Sequence, residues 1–426
     1  MNVAGQVNNS QQGALVSQQA LNVKAGSLVN QQGVISSEAN VELQVVGDLD
    51  NRSGDIAGQN VTLNSDNLDN TAGQVSAEDT LAITLVNQLL NQHNASLISG
   101  QELLLTASIL GNQNSTIASE GLLSIFAQQL RNEQQATLAA NEQLQINAQQ
   151  LTNQSGRIIS EQGAVSIQAR TVDNRDGVIA SLLDRLTLSF RGLFNNQSGT
   201  AQGQIVAVQA HEIDNQAGYL AATATDLELS AAAINNQGGG LYAQQHLIVT
   251  GRQLDNSNQG QIAANSVDFS LSGTLNNQSG LIEANHLDVL VDSINNSQGQ
   301  LRALAAAENS VIRTAATLDN RSGSIEVANT DFVLDTPNLL NQSGSIVHAG
   351  RGQFDLMSGH ARHVGGTLVS QGALSVTSDS WENSTLFQAG TLNFNVGDFK
   401  QTATGQLIAS QSLNATGNSW VNDGLI

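Results

Sequence analysis

His360 and His363 lie three residues apart with Arg362 between them, the one place where side chains suited to a shared ligand crowd together. Two imidazoles at that spacing suggest a metal, but a metal site needs a third ligand and an oriented second shell. In strands and turns, positions i and i+3 need not face the same way. The expectation is exposed turn histidines, with His360, Arg362 and His363 kept as weak binding candidates and no metal assigned. Carboxylates suggest sugar cleavage, which needs one pair of acids ~5 to 9.5 Å apart. Instead Asp50, Asp69, Asp173, Asp214, Asp255 and Asp319 recur at one place in a repeated motif. Such recurrence reads as surface decoration, and Asn replaces Asp in other copies, which breaks any calcium-binding acidic ladder. Gly238-Gly239-Gly240 reads as an expanded corner, since no Gly-x-x-x-x-Gly-Lys-Ser/Thr accompanies it. Cysteine is absent, removing thiolate nucleophiles, thiolate metal sites and disulfides together. No catalytic residue and no cofactor are expected.

The composition of the 426 residues narrows the classes further. Only 12% are charged and 3% aromatic, against ~25% charged in ordinary globular proteins. Lys+Arg 15 against Asp+Glu 36 gives a net charge of −21. That field repels phosphate backbones and anionic membranes, so neither is an expected partner. Anionic polysaccharides are disfavoured for the same reason. No apolar run approaches the ~18 residues of a spanning helix, so no membrane insertion of this segment is expected.

The elements that must carry these residues follow from a repeat. An aliphatic residue, any residue, Asn, two residues and Gly recur, as in Leu49-Asp50-Asn51-Arg52-Ser53-Gly54 and Leu275-Asn276-Asn277-Gln278-Ser279-Gly280. The Asn-x-x-Gly step is strict at Asn30, Asn51, Asn70, Asn153, Asn174, Asn196, Asn215, Asn236, Asn277, Asn296, Asn320 and Asn341. Looser copies stand at Asn9, Asn91, Asn112, Asn132 and Asn256, and the spacing is 19 to 24 residues, most often 21. A fixed period of this length signals a solenoid. After each Gly the apolar residues alternate, as in Ile282 and Ala284, then Leu287, Val289 and Val291. Period two over short runs is the strand signature.

Each repeat therefore reads as two or three short strands, too small to bury its own apolar face. Stacking coil on coil solves that, with like residues ~4.8 Å apart. About twenty such coils would give a rod on the order of 95 Å long. The predicted fold is all-β, a right-handed parallel β-helix with ~21-residue coils. Asn-x-x-Gly becomes its corner, since Asn and Gly both tolerate left-handed backbone and a stacked Asn can bond to the next coil. Proline would remove a ladder donor, and Pro337 alone occurs, in a turn-like setting. Both ends cut through a repeat, so the sequence reads as an interior piece of a longer protein.

At the run Leu-x-Asn-x-x-Gly-x-Ile-x-Ala and the following Leu-x-Leu strand, clearest at 275–291 and 318–334, the sequence resembles the haemagglutinin-repeat rods of two-partner-secreted exoproteins of Gram-negative bacteria. That family includes filamentous haemagglutinin adhesins and the stick-like effectors of contact-dependent growth inhibition. The resemblance implies a β-helical filament at the cell surface or outside the cell, exported through an outer-membrane two-partner-secretion transporter. It also implies a tip elsewhere in the protein that meets a target-cell receptor. A monomeric rod is expected.

Residues 1–344 form the regular array. From 345 to 426 the register changes: a Gly- and His-bearing stretch is followed by Trp381, Phe399 and Trp420 where Leu stood, 18 and 21 residues apart. Coiling is expected to continue there as a different subtype, with the tryptophans filling the core. The leading expectation is a structural filament segment. A receptor- or carbohydrate-binding module, sited in 345–426 or in a loop within 300–312, is the alternative. A polysaccharide-active β-helix enzyme ranks third, because no irregular cluster of acids and bases is visible.

Overall fold

The segment Val41-Glu42-Leu43-Gln44-Val45 buries its odd residues and turns Glu42 and Gln44 outward. The side-chain period of two does this wherever one face meets a core. In the computed structural model, which describes residues 1–361 and 364–426, that strand lies parallel to Val61–Asp69, with Val41 beside Val61 and Leu43 beside Leu63. Among the described residues, strands pair in parallel with the equivalent strands one coil on, which is the β-solenoid arrangement. The chain divides into two compact units, Met1–His211 and Glu212–Ile426.

In the first unit a coil runs from corner Asn30–Gly33 through strand Val34–Ser37, strand Val41–Val45 and strand Asp48–Asp50 to the next corner. In other coils the last two strands run as one element, as in Thr80–Gln92, Glu102–Gln113 and Leu122–Glu133, and in Thr80–Gln92 the register shifts between Thr84 and Gln88. The interior consists of ladders of like residues. Ile35, Ile56, Val75, Leu97, Ile117 and Leu138 make one, and Leu28, Leu49, Leu68, Leu89 and Leu110 another, all essentially without solvent exposure. Each such side chain contributes about 1.5–3 kcal/mol by leaving water.

The second unit repeats the plan. Leu227–Asn235 lies parallel to His246–Asp255, with Leu229 beside Val249 and Ile234 beside Leu254. Leu304–Glu308 loops out between strands Gln300–Ala303 and Asn309–Asp319. Beyond Gly344 the coiling continues: Phe332 lies beside Phe354, Trp381 beside Phe399, and Phe399 beside Trp420. Trp381 is 2% exposed, and the Phe399 and Trp420 rings stack with centroids 4.3 Å apart. Pro337 sits exposed in the bend between Asp331–Asp335 and Asn338–Leu340.

Candidate functional site

The most ordered polar feature is the corner. Asn30 Nδ2 donates to Asn51 Oδ1 at 2.7 Å, and Asn51 Nδ2 to Asn70 Oδ1 at 2.7 Å. The chain of amides continues through Asn91, Asn112, Asn132, Asn153 and Asn174 to Asn196 at 2.7 or 2.8 Å. In the second unit it runs from Asn215 through Asn236, Asn256, Asn277, Asn296 and Asn320 to Asn341. These asparagines are 0% exposed, so an unpaired amide would be costly. The other proton of Nδ2 serves backbone carbonyls, as from Asn51 to Gly54 at 3.0 Å and to Gln74 at 3.2 Å. All the donors point toward the following coil, and hydrogen bonds in such a file polarise one another.

The conformational reason expected for Asn and Gly requires correction. The left-handed residue is the one before the glycine: Gln32 (φ 54°), Ser53 (φ 53°), Ser155 (φ 53°) and Ser322 (φ 54°). Glycine is required for a different reason: a Cβ at Gly54 would stand 2.1 Å from the Asn30 carbonyl oxygen of the preceding coil. At four of the five looser corners an extra residue enters, and two successive residues become left-handed, as at Gln134 and Gln135; at Asn112 the length is unchanged and Ser115 takes the place of glycine. Asn132 nevertheless keeps its 2.7 Å bond to Asn153.

The acids before the corner do more than decorate the surface. Asp50 Oδ1 accepts the backbone N–H of Arg52 at 3.1 Å, Asp173 that of Arg175 at 3.2 Å, and Asp319 that of Arg321 at 3.1 Å. Asp69, Asp214 and Asp255 do the same two residues on, at 3.0, 3.2 and 3.0 Å. This is an Asx turn, which an Asn oxygen can build equally well. Asn195 and Asn295 duly cap Gln197 and Ser297 at 3.1 Å. The interchange of Asp and Asn follows from that shared acceptor. Sequence reasoning missed it, although the offset of two to the exposed residue was legible.

Three of these acids hold an arginine as well. Asp319 takes Arg321 at 2.5 Å, Asp50 takes Arg52 at 2.6 Å and Asp173 takes Arg175 at 2.6 Å. The Arg321 side chain holds the Asp319 carboxyl below the usual carboxylate range, with burial opposing. For Asp50 and Asp173 burial is the larger influence and pushes upward, yet the hydrogen bonds together outweigh it and leave both lowered.

Arg362 and His363 lie outside the described residues, and of His360 only the backbone is described: it pairs beside Ser380 in a short strand. Among the described residues no group of three or more His, Asp or Glu side chains converges as metal ligands. His348, in the Gly- and His-bearing stretch after Gly344, is fully buried. Its Nδ1 lies 3.0 Å from Ser370 Oγ and its Nε2 3.0 Å from the Asn329 carbonyl, with Phe332 and Phe354 alongside. Burial pushes its imidazole below the ordinary histidine range. The 300–312 loop is tied from beneath: Asn329 Nδ2 donates to the carbonyls of Ala305 and Ala307, both at 3.0 Å.

After Asn341 the amide file changes partner. Asn341 Nδ2 donates to the Gly365 carbonyl at 3.2 Å, and Gly365 stands at the corner with φ 64°. A side-chain bond resumes from Asn383 to Gln401 Oε1 at 3.2 Å.

These features describe a scaffold whose polar groups are committed to holding coil against coil. A family model described as the haemagglutinin repeat matches residues 1–125, 127–189, 162–279 and 382–426. No curated protein and no solved structure matches the chain.

Proposed function

The chain belongs to the haemagglutinin-repeat family, and on that premise we propose that this filamentous, adhesin-like segment serves to hold a tip away from the cell that makes it. The tip would be the binding part of an adhesin or the toxin of a contact-dependent growth-inhibition effector. The observation that carries the reading is the file of buried asparagines running from coil to coil. Like residues stacked at every coil resist bending, because bending must part backbone, amide and apolar ladders together. An outer-membrane transporter of the two-partner type is the partner proposed for export. The absence of cysteine suits passage as an unfolded chain, where no premature disulfide can form. The segment itself would act as a monomer, at the cell surface or outside the cell.

A second reading places receptor binding in 345–426. It is favoured by the change of corner from Asn341 to Gly365, since departures from a repeat are where a scaffold can carry a site. Incubating the full chain with intact bacterial and animal cells separates the two. The structural reading expects no saturable binding. Saturable binding that disappears when His360, Arg362 and His363 are replaced by Ala would establish the second reading.

A further inference from the structure

On an acidic chain, one cleft of the first unit has the opposite sign. It encloses about 500 Å³ and is lined by Asn147, Gln149, Gln168, Arg170, Ser189 and Arg191 over a floor of Ala148 and Ala169. Its walls are two outward-facing ladders. Asn147 lies beside Gln168, and Gln168 beside Ser189. Two residues on, Arg191 follows Arg170 one coil later, their backbones joined by Gly192 N–H donating to the Arg170 carbonyl at 2.8 Å.

The groups that line this cleft are free, and two of them are arginines on adjacent coils. Arg52, Arg175, Arg302 and Arg321 are all paired with carboxylates. Among the described residues, Arg170 and Arg191 have no ion pair, and none of the six lining side chains has a hydrogen-bond partner within the protein. Exposed amides at other coils bond to one another along the stack, as Asn60 to Asn40 and Asn285 to Asn265.

We infer that this cleft binds an acidic sugar, a uronate residue of an oligosaccharide. Two arginines whose strands lie roughly 4.8 Å apart can both reach a planar carboxylate, which arginine grips with paired N–H donors. The facing amides and the Ser189 hydroxyl both donate and accept, as sugar hydroxyls require. The cleft volume falls in the ordinary range for small-ligand sites. The net charge of −21 does not forbid this. Salt at physiological strength screens distant charges beyond about 8 Å, so the local pair decides the sign. The inference stands on the cleft alone and does not depend on what the segment displays.

The test is calorimetric titration of the full chain, at physiological salt, with a galacturonic acid trimer and with its neutral galactose counterpart. The uronate should bind saturably, and R170Q/R191Q should weaken it at least about tenfold. R175Q, whose arginine is engaged at a corner by Asp173, should leave it unchanged. Circular dichroism should be the same for all three proteins. Equal affinity in the double variant would overturn the inference. So would absence of binding, equal binding of the neutral trimer, or equal binding of free citrate or a sulfated trimer.

Discussion

Asn153 stands between two neighbours of its own kind, accepting from Asn132 Nδ2 at 2.7 Å and donating to Asn174 Oδ1 at 2.7 Å. One residue thus joins three coils. Asn153→Leu takes the 2.7 Å acceptor from Asn132 Nδ2, which keeps only its carbonyl partners, and deprives the buried Asn174 Oδ1 of its Asn153 donor, at a cost of about 1–3 kcal/mol. Asn153→Asp keeps the acceptor but loses the donor and buries a charge. Both should lower the urea midpoint, the aspartate variant more so at neutral pH. An unchanged midpoint for the leucine variant would remove the amide file from the account of stability.

Gly54 and Gly5 make a matched pair. A Cβ at Gly54 meets the Asn30 carbonyl at 2.1 Å, whereas nothing lies within 4 Å of one at Gly5. Gly54→Ala should destabilise by about 1–3 kcal/mol, as overpacking does, and Gly5→Ala should change little. Similar melting curves for the two variants would contradict the close approach.

Leu275 is 0% exposed within its ladder. Leu275→Asp places an unpaired charge among apolar side chains and should cost more than about 3 kcal/mol. Because each coil rests on its neighbours, the damage should spread to several coils. A circular dichroism melt matching the parent would argue against the interior assignment.

His348 supplies a dependence on pH. Its imidazole is held below the ordinary histidine value by burial. As pH falls below about 6.5, the unfolded chain takes up a proton that the folded coil resists. Stability is therefore full above that value and declines below it. The urea midpoint should drop from pH 7.5 to pH 5.5, and His348→Ser should remove part of that drop. Serine is the buried residue at the equivalent strand end in other coils, for example Ser160 and Ser370. A drop of the same size in the variant would refute the assignment.

Asp319 acts in a lower window. Arg321 and the turn hydrogen bond hold its carboxyl down, so its contribution is present above the ordinary value near 3.8 and fades as pH falls through the folded value. Asp319→Asn keeps the acceptor for the Arg321 N–H and should retain the turn at pH 7 while flattening this acid limb. An unaltered limb would show that the pairing contributes nothing to folding.

How much was legible follows from where each property resides. A 21-residue period and alternating Leu, Ile and Val determined a parallel coil, because like residues can share a core only by stacking in register. The corner was visible as Asn-x-x-Gly for the same reason. The placement of Trp381 in the core followed from its spacing to Phe399 and Trp420. Only the tertiary structure decided that the file of amides donates one way, that Ser53 rather than Asn51 or Gly54 turns left-handed, and that Gly54 is glycine because of Asn30. It likewise decided that Arg52 is spoken for while Arg170 and Arg191 are free. The amide file and the Gly54 contact depend on atoms in a neighbouring coil, some 20 residues away in sequence but one strand spacing away in space. The periodic pattern specifies which residues meet; the direction in which their polar atoms point is settled only when the coils touch.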